Sequence, residues 1–419
     1  MSGAITADWL TRPSLQAVFD AVEQDGDAAR AVGGAVRNTL LGVPVADVDV
    51  ATTALPDDVV RRALAAGLKP VPTGIEHGTI TVVSTGDAYE VTTLREDVET
   101  HGRSATVRFG RCWQHDARRR DFTMNALYVD RHGTLYDPVG GLPDLEARRV
   151  RFIGDPLLRI REDYLRILRF FRFHAQYGEG PLDAQGLAAS QAERAGLAVL
   201  SSERVAMELR KLIVAPRAVE TVIRMAGAGI LELVFPVEAD LDAFTALRGL
   251  DEVSPQARAP ALCLAALAGA GGARAIGQTA EGLRLSNAER KRMERADGVA
   301  RAARTLALLD REPAEAAIAE CLYAHGAEAL RDGLLLAVAR EGVPVDAGEL
   351  GARLTQIERT NVPVFPLSGR DLILAGFRPG PEVGALLKQA EGRWISSGFT
   401  LGREALLSAA LAGAESARS

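Results

Sequence analysis

Two acidic side chains separated by one valine, Asp47-Val48-Asp49, sit in the short apolar stretch from Ala46 to Val50. Read as a strand, the stretch alternates faces. Asp47 and Asp49 then stand on one side about 6 to 7 Å apart, with Val48 and Val50 on the other. Two carboxylates held side by side raise each other's pKa. A divalent cation relieves that repulsion, and hard oxygen donors suit Mg2+. Upstream lies the turn Val32-Gly33-Gly34-Ala35-Val36-Arg37. Its glycines let the backbone bend tightly and approach a ligand closely. A short helix from Ala35 to Leu41 would open with free N–H groups, which attract an anion. Metal-binding acids beside a phosphate-binding turn equip a chain for phosphoryl or nucleotidyl transfer. Each half also has a plainer reading, a solvated strand face and an ordinary turn, so the rest of the chain must decide.

At 419 residues the chain is long enough for two to four domains. Its net charge of −6 argues against non-specific coating of nucleic acid, though not against a local basic surface. The cysteines, Cys112, Cys263 and Cys321, are far apart and odd in number. They suggest no disulfide framework or zinc cluster and fit a reducing cytoplasm. Met1 to Trp9 lacks the basic start and apolar core of a signal peptide. The longest apolar stretch, Ala259 to Gly271, is too short to span a bilayer and is expected to be a buried helix.

In chain order, the spacing of Leu15, Val18, Phe19 and Val22 predicts a helix over Pro13 to Glu23. A strand is expected over Ala28 to Val32 before the glycine turn, and a helix over Asp57 to Ala66, bracketed by Pro56 and Gly67. Gly78 to Ser84 and Ala88 to Thr93 alternate and are β-branched, which predicts a hairpin. Leu94 to His115 is charged and poor in apolar residues; it is expected to be a mobile functional loop or a disordered insert. Arg118-Arg119-Arg120 then precede a short helix and a strand over Ala126 to Val129. Guanidinium groups match phosphate oxygens in a two-toothed way.

Beyond residue 145 the pattern turns almost wholly helical. Asp155 and Pro156 open a helix whose run, Arg161 to Phe173, ends near Gly178. Tyr164, Ile167, Leu168, Phe170 and Phe171 form an apolar face, and Arg166, Arg169 and Arg172 fan over the other. Such arginines suit a solvated helix face or an electropositive wall facing an anion. Ser201 caps a helix that carries Arg204 and Glu208, and Ser286 with Glu289 forms a capping box. Pro366 to Leu372 opens a helix, and Phe377 to Gly384 turns into another.

These motifs together resemble the class II CCA-adding enzymes, the tRNA nucleotidyltransferase and poly(A) polymerase family of the polymerase-β-like superfamily. Gly33-Gly34-Ala35-Val36-Arg37 with Asp47-Val48-Asp49 resembles the first family motif. Arg119-Arg120-Asp121-Phe122-Thr123-Met124-Asn125-Ala126 resembles the second, and Asp137-Pro138-Val139-Gly140-Gly141 through Asp144-Leu145 the third. Glu162-Asp163-Tyr164-Leu165-Arg166 and Ser202-Glu203-Arg204-Val205 resemble the next two. The resemblance is dense from residue 30 to about 215 and thin beyond. Two positions depart from it: Asn38 stands where the family usually has Asp, and Tyr164 where it often has Pro.

The resemblance implies an α+β chain: a nucleotidyltransferase α/β head over 1–145, a nucleotide-selecting helical neck over 146–230, and a tRNA-binding helical body and tail over 231–419. It implies template-independent addition of CCA to the 3′ end of tRNA from CTP and ATP, with release of pyrophosphate. Asp47 and Asp49 would be catalytic and hold Mg2+, with Glu90 a third carboxylate. Gly34, Arg37 and Arg120 would bind the triphosphate. Asp163 and Arg166 would read the shared edge pattern of cytosine and adenine, anchored by Arg169 and Arg172. The charged stretch Leu94 to His115 resembles the lever-like loop of enzymes that add the full triplet. Implied partners are the tRNA 3′ end and acceptor arm, CTP and ATP, with no membrane and no obligatory protein partner. The competing readings are a bacterial poly(A) polymerase, an A-adding tRNA nucleotidyltransferase, a catalytically silent RNA-binding protein and a metal phosphohydrolase. The acidic charge disfavours the first, the intact Asp47 and Asp49 disfavour the silent scaffold, and the lone pair His115-Asp116 disfavours the hydrolase.

Overall fold

The computed structural model describes residues 5–101, 104–302, 307–308, 315–341 and 346–416, without the side chains of 96–107, 270, 341 and 413–416. The chain forms two compact units, Met1–Val234 and Phe235–Ser419.

The first unit opens with α1 (Pro13–Val22), whose buried Leu15, Val18, Phe19 and Val22 recur at helical spacing. β1 (Ala29–Val32), α2 (Gly34–Leu40), β2 (Asp49–Thr52), α3 (Pro56–Ala65), β3 (Lys69–Gly74), β4 (Thr79–Ser84) and β5 (Asp87–Thr93) follow. β6 (Arg95–His101), β7 (Ser104–Phe109), α4 (Trp113–Arg118), β8 (Tyr128–Val129), β9 (Leu135–Tyr136) and α5 (Leu142–Glu146) complete the mixed region. Seven strands form one sheet in the order β3-β4-β5-β2-β1-β8-β9. Its register sets the site. Val32 pairs antiparallel with Asp49, and Asp49 pairs parallel with Glu90. The exit of β1 into Gly33, the start of β2 and Glu90 on β5 therefore share one region of the sheet.

β2 begins at Asp49, so the expected strand over Ala46 to Val50 is shifted along the chain. Asp47 lies in the irregular segment before it, because pairing with β1 starts only at the Val32–Asp49 position. The hairpin β4–β5 forms as its alternation predicts; Thr85 and Gly86 both take positive φ, which suits a tight two-residue turn. The charged stretch expected as a loop or insert is instead largely the two-stranded antiparallel ribbon β6–β7. The first strand holds a single apolar residue, Val98, and gives no alternation; the second does alternate, at Ala105, Val107 and Phe109, but the charge around it obscures that short signal. The side chains of 96–107, on which part of that expectation rested, lie outside the described residues, as do Gly102 and Arg103 entirely.

The helical part of the first unit comprises α6 (Pro156–Glu162), α7 (Leu165–Tyr177), α8 (Ala184–Ala192), α9 (Ser202–Ile213) and α10 (Ala218–Gly227). Asp155 caps α6 by accepting from the N–H of Leu157 and Leu158. The run read as one helix is broken at Asp163, which is extended (φ −157°, ψ 107°). Its carboxylate instead accepts the N–H of Leu165 at the start of α7 (3.1 Å). Tyr164, in the family's proline position, has φ −61°, a value proline shares. Its ring fills the space beside Gly196, where a Cβ would lie 2.1 Å from it. α7 buries Ile167, Leu168, Phe170 and Phe171 against α9 and α10.

The second unit is built of helices joined by loops, with no strand among its described residues. In the helix Pro260–Leu267 every residue after Pro260 is buried, as the apolar run predicts. Ser286 and Glu289 form the expected capping box for Asn287–Arg301, and Ser368 with Asp371 does the same for Gly369–Leu374. Towards its C-terminal end, Pro381–Ser396 and Arg403–Ser416 pack around Trp394, with Tyr323, Phe365 and Phe399 against it.

Candidate active site

A cavity of about 360 Å³ opens where the glycine turn, β2, the loop after α4 and the α6–α7 break converge. Gly33, Gly34, Arg37, Asp49, Arg120, Asp121, Asn125, Asp163, Arg166, Arg169 and Phe173 line it. A larger cavity of about 770 Å³ in the second unit gathers no comparable cluster of acids and arginines; its only charged lining residues are Glu315 and Arg359.

Gly33 takes φ +72° at the bend from β1 into α2, a conformation other residues adopt only under strain. Asp49 lies opposite the arginines. Asp49 keeps contact with solvent, but the protein packed around it limits its hydration and pushes its pKa up; Glu90 and Asp47 push it further, and Arg120 opposes them. Among the described residues, none of Asp47, Asp49 and Glu90 receives a side-chain hydrogen bond or ion pair. Mutually repelling carboxylates without a cationic side chain fit a hard divalent cation. The donors stand open rather than closed round a point: no group of three His, Cys, Asp or Glu side chains forms a ready cage among the described residues. Asp47 itself is exposed and outside the cavity lining.

The loop carrying Arg119-Arg120-Asp121 is held by buried contacts on three sides. Phe122 is fully buried beside Phe152 and Phe173, with ring centroids 4.9 and 5.1 Å away. Gly141 passes so close that a Cβ there would lie 2.2 Å from the Thr123 carbonyl oxygen. Asp144, buried, accepts from Thr123 Oγ1 (2.7 Å) and from Arg149 and Arg151. The third motif thus braces the second. Asp137 anchors it in turn by accepting from the N–H of Gly141 and Leu142.

Asp116, one turn before Arg120, is also buried. It accepts from Arg119, from Arg120 Nη2 (3.2 Å) and from the Tyr128 hydroxyl (2.7 Å). Burial draws the Arg120 pKa down, but Asp116 and Tyr128 outweigh it and the net shift is upward. With Nε and Nη2 so occupied, Nη1 lies towards Gly33. Asp121 accepts from Arg169 Nε (2.9 Å), Asn125 Nδ2 (2.9 Å) and the Phe122 N–H (2.8 Å). Burial raises its pKa, but Arg169 and these hydrogen bonds outweigh that and lower it to about 2.

The arginine fan of α7 is less bare than its sequence suggests. Arg166 binds Glu162 and the Arg159 carbonyl, Arg169 binds Asp121, and Arg172 binds Glu208 of α9. Successive arginines three apart rotate by about 60°, so Arg172 turns towards α9 and away from the cavity lining. Asp163 and Arg166 both face the cavity but are not paired to each other; Asp163 is held by Arg204 Nη2 at 2.7 Å. Sequence reasoning placed Arg204 in a motif without a role and missed Glu162, Asp116, Tyr128 and Glu208 as supports. Asn38 accepts from Arg37 and donates to the Pro44 carbonyl, so it fixes the turn after α2.

The chain matches two family models. One, described as the poly A polymerase head domain, covers residues 29–151. The other, described as "Probable RNA and SrmB- binding site of polymerase A", covers residues 182–241. The mouse mitochondrial CCA tRNA nucleotidyltransferase 1 is 32% identical over 413 residues, spanning 94% of this chain and 89% of the relative. The CCA-adding enzyme of Geobacillus thermodenitrificans is 43% identical over 225 residues, 52% of this chain and 54% of the relative. The crystal structure of the Bacillus stearothermophilus CCA-adding enzyme in complex with CTP aligns with a TM-score of 0.73 at 28% identity, covering 97% of this chain and 99% of that one.

Proposed function

The chain belongs to the family of CCA-adding tRNA nucleotidyltransferases, and we propose that it adds C, C and A without a template to the 3′ end of tRNA, using CTP and ATP and releasing pyrophosphate. One observation carries the reading: unpaired Asp49 faces a glycine turn and a set of arginines across a single nucleotide-sized cavity.

Asp47 and Asp49, with Glu90 beside them, are the residues that would hold Mg2+. Bound there, the ion would lower the pKa of the tRNA 3′-hydroxyl and neutralise charge on the triphosphate. Gly34 offers a backbone that the phosphates can approach, and Arg37 and Arg120 offer charge. Asp163 accepts and Arg166 donates. Together they match the exocyclic amine and ring nitrogen that cytosine and adenine share; uracil and guanine present the reverse pattern. Arg169, fixed on Asp121, anchors the base-reading side. Arg172 supports α7 from outside the cavity through Glu208.

In this reading residues 1–145 form the catalytic head and 146–230 the nucleotide-selecting neck, both within the first compact unit. Residues 231–419 bind the body of the tRNA. No helix among the described residues is long and apolar enough to cross a membrane. The cysteines are all free, which suits a reducing compartment such as the cytoplasm.

The test is direct. Purified protein and Mg2+ are incubated with tRNA lacking its last three nucleotides, with CTP and ATP supplied singly and together. Extension by two with CTP alone and by three with both is expected. Long adenylate tails would point to a poly(A) polymerase, extension only of tRNA already ending in CC would point to an A-adding enzyme, and no extension would reject the assignment.

A further inference from the structure

Four arginines line the cavity, and three of them have a carboxylate partner: Arg120 on Asp116, Arg166 on Glu162 and Arg169 on Asp121. Arg37 is different. It is only 6% exposed, and its whole guanidinium is bound to neutral groups. Nη1 donates to Asn125 Oδ1 (2.5 Å), Nε and Nη2 donate to Asn38 Oδ1 (3.1 and 2.8 Å), and Nη2 donates to the Tyr177 hydroxyl (2.7 Å). The Tyr177 ring lies 4.1 Å away and adds only a quadrupole. Among the described residues no carboxylate forms an ion pair with it. Asp121 acts only at longer range, behind Asn125, and is itself engaged by Arg169; Arg172 opposes it. A buried charge with no counter-charge is costly to maintain.

We propose that Arg37 is the cavity's one unneutralised buried cation among the described residues, that the phosphates of the bound nucleotide supply its counter-charge, and that the neutral amide of Asn38 sets the strength of that attraction. This rests on the nucleotide-binding reading above. Asn38 Oδ1 already meets two guanidinium nitrogens. A carboxylate in its place would form a two-toothed ion pair at the same spot and share the charge that a phosphate would otherwise meet.

The substitution Asn38→Asp tests this through affinity. The variant gains an ion pair at Arg37 but loses the amide donation to the Pro44 carbonyl, so its melting temperature serves only to show that it folds. Its affinity for CTP and for inorganic pyrophosphate, measured by calorimetry without tRNA, should fall about tenfold, the scale of one charge-assisted contact. The preference for CTP over UTP should not move. Asn38→Ala, which adds no charge, should lose far less affinity for both probes. Equal or tighter pyrophosphate binding by Asn38→Asp, or an equal loss in Asn38→Ala, would overturn the inference. Wild-type protein that binds neither CTP nor pyrophosphate would overturn the nucleotide-binding reading as well.

Discussion

Asp163 is ion-paired to Arg204 of α9 at 2.7 Å, and Arg166, in the first turn of α7, is bound to Glu162 instead. The two proposed base-reading side chains are thus each fixed from outside the pair. Arg204 and Glu208 lie four residues apart on one face of α9. The first holds the Asp163 carboxylate at the entry to α7, and the second holds Arg172 further along. α9 serves as the frame on which the reading pair is set.

Arg204 should therefore govern nucleotide choice without touching the nucleotide. Asp163→Ala should damage selection of CTP and ATP over UTP and GTP more than triphosphate binding. Arg204→Met should reproduce part of that loss, lowering the CTP-to-UTP incorporation ratio about tenfold, the scale of one charge-assisted hydrogen bond. Arg204→Lys, which keeps the charge but not the planar fork, should fall between. Single-nucleotide incorporation assays decide the matter: an unchanged ratio in Arg204→Met removes the frame argument.

The pairing of Asp49 with Glu90 across parallel strands leads to a second expectation. A carboxyl whose pKa is raised on folding weakens the fold once pH exceeds its unfolded pKa, because the native state resists losing the proton. Asp49→Asn removes that penalty. Without Mg2+ the variant should be at least as thermostable as wild type at neutral pH, yet incorporate no nucleotide while still binding tRNA. Asp47→Ala should likewise abolish incorporation, and Glu90→Gln should raise the Mg2+ concentration needed for half-maximal rate. A less stable, partly active Asp49→Asn would mean that this carboxylate is structural.

The sequence was most legible where the signal is local. The caps at Asp155, Ser201 and Ser286, the hairpin after Gly78 and the apolar face of α7 all follow from neighbours a few residues apart. The motifs were legible too, and of the candidate site residues all but Asp47, Glu90 and Arg172 line one cavity. Their partners were not. Asp121 and Arg169 are 48 residues apart, and Asp163 and Arg204 are 41 apart. A helical wheel shows that Arg172 leaves the apolar face of α7 but cannot show Glu208 waiting on another helix. The ribbon β6–β7 was hidden differently: its first strand holds only one apolar residue, Val98, and the short alternation of its second, Ala105, Val107 and Phe109, is set among charged residues that read as a loop.

Asp121 gives a prediction about acid. Its pKa falls from 3.8 to about 2 in the folded protein. A depressed carboxylate contributes stability that is complete above its unfolded pKa and is lost as pH falls through its folded one. The window is therefore about pH 4 to pH 2, and the contribution at neutral pH is roughly 2 kcal/mol. Thermal melts across that window should fall more steeply for wild type than for Asp121→Asn, which has no proton to gain. Parallel curves would show that the Asp121–Arg169 contact adds no pH-linked stability.

The ribbon β6–β7 supplies the last test, because it bears on which product the enzyme makes. It leaves the sheet directly after β5, the strand that carries Glu90, and returns through α4, whose Asp116 holds Arg120. Among the described residues its two strands pair with each other, in a two-stranded sheet apart from the main one. It can therefore be shortened without removing a strand from the sheet that presents Asp49. A variant with residues 96–108 replaced by a short glycine-serine link should keep its fold and its addition of two cytidines but lose most of the final adenosine. The comparison is between tRNA lacking CCA, given CTP, and tRNA ending in CC, given ATP. Loss of both steps in equal measure would assign the ribbon a structural role, and retention of both would leave triplet completion to the cavity alone.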